Sequence, residues 1–89
     1  MKRQIQLPAS TEGALKQLGN NIKTARIKLG LSASLMAEMM ETTRVTLGSI
    51  EDGLPSVSMG HYLKALSILG LDNKLTEFLN DEVSSLNKI

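Results

Sequence analysis

The segment spanning residues 31–53, LSASLMAEMMETTRVTLGSIEDG, limits the fold more than any other part of this chain. It reads as two short helices joined by a tight turn. Leu47 and Ile50 stand three residues apart and so share one helical face. Arg44, Val45, Gly48 and Ser49 fall together on the opposite side. A helix with two large aliphatics behind it, and one cation, small polar groups and a glycine in front, suits insertion into a groove. The major groove of DNA is the leading candidate.

Flanking signals extend this pattern to an all-α chain of five short helices. Ser10 or Thr11 is expected to cap a first helix ending near Leu29, with Leu15, Leu18, Ile22 and Ala25 on one stripe and Gly30 as its C-cap. The second starts at about Ser34, capped by Ser32, and ends near Met40. Thr43 caps the third, from Arg44 to about Asp52, and Gly53 stops it. Ser58 caps a fourth from Met59 to about Leu69, with Leu63, Leu66 and either Ala65 or Leu69 inward; Gly70 closes it. Asp72 caps a fifth, from Asn73 to about Asn80, with Leu75, Phe78 and Leu79 inward. The tail DEVSSLNKI is ambiguous, because Val83, Leu86 and Ile89 fit helical spacing with little local support. At the other end, Ile5 and Leu7 alternate with Gln4 and Gln6, the pattern of a short strand stopped by Pro8; a frayed terminus is the alternative. The expected organisation is an arm over residues 1–9, a helix-turn-helix domain over 10–80 with its motif at 33–52, and a tail over 81–89.

The motif resembles the helix-turn-helix of the Cro and phage-repressor superfamily, the XRE family. The matching positions are Leu31 and Ser32 before the first motif helix, Met36, Ala37 and Met40 as its inward residues, and Thr43 as the cap of the second. Leu47, Ile50, Glu51 and Gly53 follow at the family's spacing. The likeness continues upstream through LGNNIKTARIKLG and downstream through PSVSMGHYLKALSILGL, about two thirds of the chain in all, and the downstream run is most similar to HipB-type antitoxin repressors. The resemblance implies a five-helix lambda-repressor-like domain. It also implies that Arg26 pairs with Glu51 as a structural ion pair between the first and third helices. Three positions depart from the family pattern: Glu41 and Thr42 replace the usual turn glycine and the apolar residue after it, and Ala33 stands where glutamine often starts the first motif helix. Glu41 is expected to take the turn at positive φ for a small backbone penalty.

Composition narrows the class. A chain of 89 residues with one Tyr, one Phe and no Trp holds one domain with an aliphatic core, and domains of this size are marginal alone. Without cysteine it has neither disulfides nor a thiolate metal site. The start, MKRQIQLPAS, has no apolar run behind its basic residues, so it is not expected to be a signal peptide, and no stretch is expected to span a membrane. A cytoplasmic protein is expected. The net charge of +1 hides a polarity: residues 1–44 carry seven Lys/Arg against three Glu, and residues 45–89 three Lys against six acids. That polarity would orient the molecule on a phosphate surface.

The candidate DNA base contacts are Thr43, Arg44, Val45, Gly48 and Ser49. Arg44 leads, because arginine can donate two hydrogen bonds to one guanine. Val45 could meet a thymine methyl, Gly48 would permit close approach, and Thr43 and Ser49 could donate or merely cap. Lys23, Lys28, Ser34 beside the second helix's first amides, and Thr46 are the candidate phosphate contacts. His61 lacks a partner for metal binding or catalysis and is expected to be a surface or packing residue. Met36 and Met40 are expected in the core, while Met39 and Leu35 point partly away from it. No catalytic site, metal or cofactor is expected, and the chain is not expected to be an enzyme.

These readings converge on a sequence-specific repressor acting as a homodimer on a palindromic operator. The narrower reading is an autoregulating HipB-like antitoxin, with a HipA-like kinase toxin as the partner that the resemblance implies. The alternative is an interaction module that holds a toxin or other protein without binding DNA. Leu71, Leu75, Phe78 and Leu79 are the expected dimer interface, since the basic half would face DNA. The Ile5 and Leu7 strand is the second candidate.

Overall fold

A computed structural model describes residues 5–86 of the chain. It is all-α, with five helices: α1 (Ala9–Lys28), α2 (Ala33–Met39), α3 (Arg44–Glu51), α4 (Met59–Ile68) and α5 (Asp72–Ser85). α3 packs against both α1 and α2, and α4 leads into α5. The core gathers Ile22 of α1, Met36 and Ala37 of α2 with Met40 after it, Leu47 and Ile50 of α3, and Tyr62, Ala65, Leu66 and Leu69 around α4.

The same local chemistry sets most helix ends. Ser32, Thr43 and Ser58 cap α2, α3 and α4, each accepting a backbone N–H through its side-chain oxygen, which satisfies one of the orphan donors of the first turn. α1, α2, α3 and α4 all close with a 6→1 bond onto the helix, such as Leu31 N to Arg26 O at 3.0 Å and Thr42 N to Ala37 O at 2.9 Å, the Schellman arrangement. It needs a left-handed residue, supplied by Gly30, Gly53 and Gly70 and, in the α2–α3 turn, by Glu41 at φ 57. Glu41 therefore takes the turn as expected.

Several expectations are corrected. α1 begins immediately after Pro8 and uses neither Ser10 nor Thr11 as a side-chain cap; the proline ring presets the entry φ, and Glu12 N bonds Pro8 O at 2.8 Å. α5 begins without an Asp72 side-chain cap and runs on to Ser85, through the segment left ambiguous. Ile5 and Leu7 form no strand. A strand needs a neighbour for its backbone, and the described chain offers none; instead both side chains lie beside Leu15, Leu18 and Tyr62 in an apolar groove. Gln4 and Ile89 lie outside the described residues.

In α4, Leu66, Ala65 and Leu69 are buried as expected, but Tyr62 takes the inward place expected for Leu63. Tyr62 is buried and Leu63 is 38% exposed. The Tyr62 hydroxyl donates to Leu54 O at 2.8 Å, so the ring enters the core with its polar end satisfied. Burial pushes its phenol up from the ordinary value, because the charged form loses solvation. α5 differs most, since Leu75, Phe78 and Leu79 are exposed and no residue of the helix is buried. The radius of gyration is 14.5 Å, against about 12 Å for a compact chain of this length, and α5 meets the body at a groove where Leu75 and Phe78 face Leu18 of α1 and Leu66.

Candidate nucleic-acid interface

α3 is eight residues long and is held from behind. Leu47 and Ile50 are fully buried, and Glu51 in the last turn is gripped by α1. Arg26 Nε donates to Glu51 Oε2 at 2.7 Å and Nη2 to Oε1 at 3.3 Å, while Nη1 donates to Leu31 O at 2.9 Å. One guanidinium thus joins α1, the α1–α2 turn and α3. The Arg26 and Glu51 side chains are 11% and 8% exposed, so this arginine is spent inside the protein.

A second constraint comes from two glycines that the residue pattern did not mark as a pair. A Cβ on Gly19 would lie 2.5 Å from Ile50 O and 2.6 Å from Gly53 N, and one on Gly53 would lie 2.5 Å from Leu15 O. α1 therefore crosses the end of α3 backbone against backbone. With its rear fixed at three places, α3 turns a defined face outward.

That outward face carries the expected residues. Arg44 is exposed and Val45 is 80% exposed. Gly48 and Ser49 are half-buried, and a Cβ on Gly48 would meet nothing within 4 Å. Thr43 acts as the cap, accepting from Thr46 N at 3.1 Å, and its hydroxyl donates to Thr46 Oγ1 at 3.2 Å. Thr46 Oγ1 has no other hydrogen-bond partner among the described residues. Lys23, Lys28 and Ser34 are exposed on α1 and α2. None of the three is joined to α3 by a hydrogen bond or ion pair among the described residues.

Residues beyond α3 also border this face. A groove of about 240 Å³ separates Val45, Thr46 and Ser49 from Ser56, Ser58 and His61. His61 is at the surface, as expected, but its place beside α3 follows from the path of the 54–58 segment, which helical periodicity does not address. The Ser58–His61 spacing at the start of α4 was the available signal.

Among the described residues no cluster of His, Asp or Glu could hold a metal ion, and no helix is long and apolar enough to cross a membrane. The chain matches no family model, and no curated protein or solved structure is significantly similar to it.

Proposed function

We propose that this protein is a sequence-specific DNA-binding repressor that acts as a homodimer on a palindromic operator. The carrying observation is the asymmetry of α3: a rear fixed by Leu47, Ile50 and the Arg26–Glu51 pair, and a front on which Arg44 and Val45 stand clear. Arg44 and Val45 stand exposed side by side on a helix whose rear is fixed, available to a partner. A major groove accepts both, with guanine for Arg44 and a thymine methyl for Val45. Thr43, Gly48 and Ser49 complete the base-facing set, and Lys23, Lys28, Ser34 and Thr46 are the proposed phosphate contacts. Repression is by occupancy in the cytoplasm, and the resemblance to HipB-type antitoxins supports an autoregulating role beside a kinase-like toxin.

The decisive experiment is a gel shift with the DNA upstream of the protein's own reading frame, supported by selection from a randomised duplex pool. Arg44→Ala is expected to weaken specific binding by about 1–3 kcal/mol and relax preference at one base pair. Equal operator affinity for Arg44→Ala and wild type across salt concentrations sinks the assignment.

Two recognition helices about 34 Å apart require a two-fold axis. Leu75, Phe78 and Leu79 form an exposed stripe along α5, with Leu71 half-buried at its start, and Phe78 is 58% exposed. Their burial against a second copy supplies roughly 25 cal/mol per Å² of apolar area. Phe78→Asp is expected to shift the protein to monomer in sedimentation equilibrium and to lower operator affinity with it. A wild type that sediments as a monomer at high micromolar concentration refutes this arrangement.

Half-exposed Leu35 and Met39 on α2 favour the second reading, a module that docks a protein partner without DNA. Failure of every duplex to bind, together with capture of a toxin by wild type but not by Leu35→Asp, is its expected signature.

A further inference from the structure

His61 is the only histidine of the chain. It faces the recognition helix across the groove whose opposite wall is Val45, Thr46 and Ser49. Its Nδ1 lies 2.8 Å from Ser58 Oγ, and that oxygen also accepts the His61 backbone N–H at 3.2 Å. Ser58 thus engages one ring nitrogen and leaves Nε2 free. We propose that His61 contacts the operator's sugar–phosphate backbone through Nε2 and makes operator affinity depend on pH. This inference rests on the DNA-binding reading of α3.

The chemistry follows from what a phosphate offers, which is acceptors only. It selects ring forms in which Nε2 carries hydrogen. One is the neutral tautomer with the Ser58 hydroxyl donating to Nδ1; the other is the imidazolium with both N–H groups donating. The imidazolium places a positive charge beside a negative one, so the phosphate favours the protonated ring and binding is linked to proton uptake. Affinity therefore rises as pH falls through the range where imidazole gains charge, and the gain is lost as pH rises.

The surroundings leave this charge unspent on the protein itself. Lys64, on the same helix, shares a shallow groove with Ser58, Gly60 and His61, and its amine lies 3.5 Å from Glu41 Oε1. The α3 wall presents Val45, Thr46 and Ser49, and the segment before α4 presents Ser56, Val57 and Ser58, none of which titrates. No carboxylate lines either groove, and Glu41 is engaged by Lys64, so no ion pair among the described residues holds an imidazolium here. Backbone rather than base is the expected contact because His61 belongs to the helix beside the reading element, where flanking elements meet phosphates.

The test is fluorescence anisotropy on a labelled duplex enriched from a randomised pool, from about pH 5.5 to 8 at constant ionic strength. Wild type is expected to bind about tenfold tighter at the acid end, the worth of one exposed charge-assisted contact. His61→Gln should show no such gain, and His61→Lys should bind tightly throughout. The salt dependence of wild type should also steepen at the acid end by roughly one phosphate contact. The Ser58 cap accepts a backbone N–H, so His61→Gln keeps the helix start, which circular dichroism checks. A wild type that binds its duplex with no pH dependence, or a His61→Gln variant with the full wild-type slope, overturns this inference and leaves the DNA-binding reading standing. Absence of duplex binding at every pH overturns both.

Discussion

Truncating Glu51 to alanine is expected to lower the unfolding free energy by about 3–5 kcal/mol, a fall in Tm of at least roughly 12 °C for a domain this small. The pair is almost dry, with side chains 11% and 8% exposed, so removing the carboxylate strands a buried guanidinium that keeps only Leu31 O as partner. Such a loss is a large part of the stability of about 4–13 kcal/mol usual for a chain of this length. Glu51→Gln retains one acceptor and should fall in the same direction by less. The double variant Arg26→Met with Glu51→Leu is expected to recover most of the loss, because apolar groups of similar volume owe no desolvation. Urea melts of the four proteins decide it, and a Glu51→Ala curve superimposed on wild type ends the argument.

Gly19→Ala is expected to destabilise by about 3 kcal/mol, even though alanine is the better helix former. The added methyl would sit 2.5 Å from Ile50 O and 2.7 Å from Glu51 O. Neither oxygen is the end of a flexible side chain, so α1 and α3 must separate. Gly13 in the same helix is the internal control: a Cβ there meets nothing within 4 Å, and Gly13→Ala should stabilise by about 0.5–1 kcal/mol. Opposite signs from one substitution at two sites of one helix test the crossing directly. Matched Tm changes for the two variants contradict it.

How much of this was legible depended on the range of the interaction. Ser32, Thr43 and Ser58 announce helix starts through bonds spanning three residues, and Leu47 with Ile50 announces the buried side of α3 by spacing alone. Glu41 at positive φ followed from the resemblance, in which glycine usually holds that turn position. Gly19 was illegible because a mid-helix glycine states only a weak preference; what occupies the missing methyl's space comes from a strand of backbone more than thirty residues away. In α4, Leu66, Ala65 and Leu69 were legible, but Tyr62 in the place of Leu63 was not, because its ring enters the core with an acceptor eight residues upstream at Leu54 O. In α5 the stripe was visible, but a stripe reports that something covers it and is silent on whether the cover is the same chain. For the candidate site, the front of α3 was readable residue by residue, whereas His61 and the two serines reach its border through a loop whose course no periodicity encodes.

The open space above Gly48 bears on how the outward face of α3 could change. Nothing in the described chain uses that volume, and the same holds for the outward side of Val45. Stability resides in Leu47, Ile50 and the Arg26 clamp, on the far side of one helix turn. Residues at 45 and 48 can therefore be exchanged without disturbing what holds the helix in place, and Gly48→Ala should even gain helix propensity. If α3 reads DNA as proposed, its outward residues can be rewritten while the scaffold stays under separate selection, so that new targets are reached through folded intermediates at every step.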